Sequence, residues 1–101
     1  MTKTIKINDL PEFDLAEHLK NEADIAAYLT LVIADGDMSE LAHALGLAAR
    51  ARGMTEIAKA CGLTREALYK ALRPDAAPRF DTINRVCTAL GVKLVAQLVH
   101  S

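Results

Sequence analysis

Residues 54 to 73 constrain this chain more than any other stretch: Met54-Thr-Glu-Ile-Ala-Lys-Ala-Cys-Gly-Leu-Thr-Arg-Glu-Ala-Leu-Tyr-Lys-Ala-Leu-Arg73. Thr55 reads as the cap of a short helix over about Glu56 to Cys61, and Thr64 as the cap of a second over about Arg65 to Leu72. A threonine at a helix start offers its hydroxyl to a backbone N–H that has no partner within the helix. Gly62 closes the first helix, where a left-handed backbone would cost a residue with a Cβ about 1 kcal/mol or more. Two short helices therefore meet at a three-residue turn. Ala58 is small where they cross, and Ile57, Cys61, Leu63, Leu68 and Ala71 fill the positions that lock the pair to a core. The pattern is that of a helix-turn-helix.

With those residues turned inward, Thr64, Arg65, Glu66, Tyr69 and Lys70 remain on the outward face of the second helix, the one whose N-terminal part enters a major groove in motifs of this kind. Arg65 and Lys70 suit guanine O6 and N7, Glu66 suits cytosine N4, and Thr64 or Tyr69 suits a phosphate or a thymine methyl. Thr55, Lys59, Arg73 and Arg79 are placed to meet phosphates, which set register without reading sequence. Competing readings stand beside these. The small and apolar pattern also describes a tight helix pair in an ordinary bundle, surface Arg and Lys are commonly only solvated, and Tyr69 is equally a half-buried packing residue.

Charge supports a polyanionic partner once it is divided along the chain. The net charge is −1. Residues 1 to 45 hold nine acids against Lys3, Lys6 and Lys20, giving −6, whereas residues 46 to 93 hold nine Arg and Lys against Glu56, Glu66, Asp75 and Asp81, giving +5. A nucleic acid would meet the second part favourably and avoid the first. The expected organisation is one domain over residues 1 to 101, with an acidic part to residue 45, a basic helical core over 46 to 93, and an apolar tail over 94 to 101.

The remaining elements follow from caps and periodicity. Thr2 to Asp9 alternates as a short strand does, and Pro11 ends it; Val92 to Val99, with Val92, Leu94, Ala96 and Leu98 on one face, is its candidate partner, within the chain or across a dimer. Asp14 and Glu17 form a capping box for a helix over Leu15 to Lys20. Asn21 and Asp24 repeat the signal before a helix over about Glu22 to Ala34, whose apolar stripe is Ile25, Leu29, Val32 and Ile33. Asp37 caps Met38 to Arg52, which turns Leu41, Leu45 and Ala48 inward and ends at Gly53. Beyond a loop over Pro74 to Pro78, Asp81 is expected to cap a last helix over about Thr82 to Leu90, with Ile83, Val86, Cys87 and Leu90 inward and Gly91 as its stop. Aromatic residues make up 4% of a chain rich in Ala and Leu, so the expected fold is all-α, with short terminal strands as its only β element.

Other chemistries find little support. His18, His43 and His100 are far apart without a second ligand at metal spacing, and Cys61 and Cys87 lie on inward helical faces without an acid–base partner. The expectation is no metal, no cofactor and no catalysis. Charges interrupt every long apolar run, so no membrane partner is expected. The chain does not open on a basic then apolar segment, and its two cysteines have no disulfide framework, so a reducing cytoplasm is the expected setting.

At this level of detail the chain resembles the addiction-module antidote family, the antitoxin halves of bacterial toxin–antitoxin pairs with a lambda-repressor-like helix-turn-helix of the XRE type. Two stretches carry the likeness: Phe13-Asp-Leu-Ala-Glu-His-Leu19 with Glu22-Ala-Asp-Ile-Ala-Ala-Tyr-Leu29, and Ala51 to Ala58 continuing through Gly62-Leu-Thr-Arg-Glu-Ala-Leu-Tyr-Lys-Ala-Leu72 to Pro78-Arg-Phe-Asp-Thr-Ile83. The resemblance implies a five-helix bundle, and a homodimer that binds a palindromic operator at its own promoter and represses it. It also implies a toxin of RelE/ParE-like fold encoded beside it. Two other functions remain open from the residues alone: a free-standing XRE-type regulator without a toxin, and a helical interaction module whose helix-turn-helix is vestigial.

Overall fold

The computed structural model describes residues 18–73 and 75–98. Asn21 stands in extended backbone, and its Oδ1 accepts from the N–H of Asp24 at 2.9 Å, which starts helix α1 (Glu22–Asp35). Ile25, Tyr28, Leu29 and Val32 form its buried stripe, at the i, i+3, i+4, i+7 spacing of one helical face. Ile33, expected in that stripe, is 44% exposed. It lies on the flank of the stripe away from Tyr28, five residues on and about 140° around the helix.

Gly36 takes the left-handed conformation and ends α1, and Asp37 then opens α2 (Met38–Arg52) by accepting from the N–H groups of Ser39 and Glu40. From Leu41 to Ala49 every residue of α2 except His43 is buried, because α1, α3 and α5 all pack around it. Its many alanines and Gly46 permit that close approach on several sides.

Gly53 both ends α2 and precedes α3 (Met54–Cys61), so α3 starts two residues earlier than its threonine suggested. Thr55 is thus an exposed first-turn residue and not the cap, since the helix has already begun at Met54. At the other end Gly62 is left-handed at φ 73°, Leu63 N–H donates to Ala58 O at 2.9 Å and Gly62 N–H to Lys59 O at 3.0 Å. This paired closure satisfies the last carbonyls of α3 and aims the chain into the turn. Helix α4 (Arg65–Ala71) follows, capped by Thr64, whose Oγ1 accepts from Ala67 N–H at 3.0 Å. Leu68 and Leu72 are buried beneath it, while Ala71, expected inward, is only half-buried.

Helix α5 (Phe80–Ala89) begins after Arg79, with no side-chain cap bond. Asp81 is therefore not the cap expected. Acidic residues are favoured at the cap and in the first turn alike, and Asp81 occupies the turn, where Oδ2 pairs with Arg85 Nε at 3.4 Å. Ile83, Val86, Cys87 and Leu90 are buried as expected. Gly91 closes the helix in the manner of Gly62, with Val92 N–H donating to Cys87 O at 2.9 Å.

These five helices enclose one core, in which Leu19, Ile25, Leu45, Leu68, Val86, Cys87 and Leu90 are almost wholly buried. The architecture is an all-helical bundle, with no strand among the described residues. The expected strand over Thr2 to Asp9 and the capping box at Asp14 lie outside the described residues, and Leu19 and Lys20 are not helical. Residues 92 to 98 are not a strand either: Val92 and Leu94 pack against the core, whereas Leu98 is 87% exposed.

Candidate functional site

Helix α4 is held from below and open above. Leu68, with none of its surface exposed, and Leu72 fix its inner side, and the three-residue turn Gly62, Leu63, Thr64 fixes its direction against α3. Thr64, Arg65, Glu66, Tyr69 and Lys70 are all exposed, so the two short helices and the outward residues expected from the sequence are present together. Thr64 Oγ1 is already engaged in the cap, which leaves its methyl group as the freer part.

Tyr69 organises this face. The Arg65 guanidinium lies 5.9 Å from the Tyr69 ring centroid, and its Nη2 donates to the tyrosine hydroxyl at 3.5 Å, one helical turn apart. A second guanidinium, that of Arg50 on α2, lies 5.7 Å from the same ring. Both separations are within the range of cation–π attraction. Arg50 was absent from the residues singled out in the sequence, because its partner is supplied by the packing of α2 against α4, and no spacing along the chain encodes that meeting.

A cleft of about 280 Å³ opens beside this stack. Gly46, Met54 and Leu72 make its apolar part, and His43, Arg50, Tyr69, Lys70 and Arg73 contribute its polar groups. Arg73 also pairs with Asp75 at 3.7 Å, a contact exposed on both sides. Thr55 and Lys59 on α3 are exposed but line none of this cleft, and Arg79 stands apart from it just before α5. Arg85 is diverted to structure: besides Asp81, its Nη1 donates to Cys61 O at 3.5 Å, tying α5 to the end of α3.

The cysteines are free, buried thiols. Burial pushes the Cys61 thiol up, against a smaller opposing pull from Arg85, and pushes Cys87 up to about 11. Both are thereby held protonated at neutral pH, the wrong state for a nucleophile. Among the described residues no three His, Cys, Asp or Glu side chains gather to hold a metal ion, and no helix is long and apolar enough to cross a membrane.

The family model described as "Probable addiction module antidote protein" matches residues 9–98. A relative from Haemophilus influenzae, described only as an uncharacterized protein, is 41% identical over 88 residues, covering 87% of this chain and 91% of its own. No solved structure matches the chain. The matched span includes every helix described above and the turn between α3 and α4, and on that extent of similarity the chain belongs to the family of probable addiction module antidote proteins.

Proposed function

We propose that this chain is a non-enzymatic antitoxin that dimerises, binds a palindromic operator in its own promoter through α4, represses its operon there, and neutralises a toxin of RelE/ParE-like fold. The observation that carries the DNA reading is α4 itself: a short helix anchored by Leu68 and Leu72, set against α3 by a three-residue turn, with Arg65, Glu66, Tyr69 and Lys70 all outward. Such a helix can lay its N-terminal side chains on base edges, and two of them about 34 to 36 Å apart in a dimer meet successive major grooves. Thr55, Lys59, Arg73 and Arg79 serve as phosphate contacts around it. Exposed Val95 and Leu98 in the apolar tail supply a dimer element, and the −6 charge of residues 1 to 45 suits a basic toxin.

Fluorescence titration against the chain's own upstream region tests this reading. Wild type should select that duplex over a scrambled one, and Arg65→Ala with Lys70→Ala should remove the preference, each lost base contact costing about 1 to 3 kcal/mol. Unchanged selectivity in the double variant would refute the assignment of α4. Co-purification with the product of the adjacent gene tests the toxin partner.

A further inference from the structure

The cleft between α2 and α4 joins residues far apart in sequence, and four of its groups are of one chemical kind. His43 and Arg50 come from α2, Lys70 from α4 and Arg73 from just beyond it, around an apolar part made by Gly46, Met54 and Leu72. Among the described residues, none that lines it is acidic. Gly46 helps keep it open: a Cβ there would come into van der Waals contact with Leu72 at 3.8 Å and occupy part of the space.

We infer that this cleft takes one backbone phosphate of the duplex bound by α4, and that Arg50, a residue outside the helix-turn-helix, is its phosphate ligand, held ready by the Tyr69 ring. The inference rests on the reading of α4 as the element that meets DNA. Charge complementarity is the first argument, since the described residues of the lining offer neutral and cationic groups to an incoming anion. Continuity is the second. Tyr69 and Lys70 belong both to the outward face of α4 and to the cleft, so a strand whose bases meet Arg65 carries its sugar–phosphate backbone past the cleft mouth. Preorganisation is the third. A guanidinium resting on an aromatic ring has lost part of its rotational freedom before any ligand arrives, which lowers the cost of fixing it on a phosphate.

Salt dependence of binding reads this directly, because each phosphate neutralised contributes about 0.9 to the slope of log affinity against log salt. With the full chain and its upstream duplex, Arg50→Gln should lower the magnitude of that slope by about 1 for each protomer bound and weaken matched and scrambled duplexes by the same factor. Arg50→Lys should retain most of the slope. Arg52→Gln, which removes a residue engaged with Glu22 at 3.5 Å, should leave it unchanged. A series of duplexes with single uncharged methylphosphonate linkages locates the contact. One linkage per half-site should weaken wild type and have no further effect on Arg50→Gln. If wild type binds the duplex and responds to Arg65→Ala with Lys70→Ala, but Arg50→Gln keeps the full slope, the cleft proposal falls alone, as it would if the cleft served an acidic protein partner. If wild type binds no duplex from the upstream region, the proposal falls together with the reading of α4.

Discussion

The guanidinium of Arg50 on α2 lies 5.7 Å from the ring of Tyr69 on α4, and Arg65 lies 5.9 Å from the same ring. The ring is the shared element, and the hydroxyl adds only a long 3.5 Å bond from Arg65. Tyr69→Phe should therefore change stability by less than about 0.5 kcal/mol. Tyr69→Leu, which removes both cation–π contacts, should cost about 1 to 2 kcal/mol, since exposed pairs are worth about 0.5 to 1 kcal/mol each. In a domain of this size that lowers Tm by about 4 to 8 °C per kcal/mol, measurable by circular dichroism. Equal melting of the two variants would remove the stack as a structural element.

Gly62 and Gly91 close α3 and α5 in the same left-handed backbone, yet their surroundings differ. A Cβ on Gly62 meets nothing within 4 Å, whereas one on Gly91 falls 2.6 Å from the Glu22 Cγ. Gly62→Ala should cost about 1 kcal/mol, the price of the backbone alone. Gly91→Ala should cost more, because Glu22 must swing away and weaken its 3.5 Å pairing with Arg52. In a Glu22→Ala background the excess should vanish, leaving the two alanine substitutions alike in chemical denaturation.

Local chemistry made much of this fold legible. Asn21, Asp37 and Thr64 cap helices as their side chains suggest, and Gly62 fixes the turn because no other residue takes φ 73° so readily. Thr55 and Asp81 misled for a common reason: residues that favour caps also favour first turns, so the sequence signal carries an error of one or two positions. Gly53, shared as the end of α2 and the start of α3, removed the position Thr55 would have capped. At the candidate site, the outward residues of α4 were legible from helical period. Arg50 was not, because its place beside Tyr69 follows from three-dimensional packing between segments about twenty residues apart.

The raised Cys87 thiol predicts a loss of stability in alkali. A thiol that ionises less readily when folded binds its proton more tightly in the native state. Its stabilising contribution is thus complete below the ordinary value of 9.0 and is lost as pH rises toward about 11. Cys61, also raised by burial, acts in the same direction. Urea titrations at pH 8 and pH 10.5 should show a smaller drop in midpoint for Cys87→Ala than for wild type, even though the alanine variant starts lower because of the cavity it creates. Parallel drops would mean that the thiol does not contribute.

The anchoring and the outward face of α4 should separate cleanly under substitution. Leu68 is wholly buried, and Leu68→Ala removes the contact that holds the helix to the core, at about 2 to 5 kcal/mol. Against a total of about 5 to 15 kcal/mol for a small domain, that is enough to lower thermal stability severely. Arg65 and Lys70 are exposed, and replacing both by alanine should cost no more than about 1 kcal/mol at Arg65, where the contact with the Tyr69 ring is lost, and about 0.5 kcal/mol at Lys70. Their loss should appear chiefly in DNA selectivity. Thermal melts and DNA titrations on the same preparations therefore distinguish a helix whose outer residues read a ligand from one whose outer residues support the fold. A large stability loss in the Arg65→Ala, Lys70→Ala double variant would place those side chains in the second class and undercut the functional reading of α4.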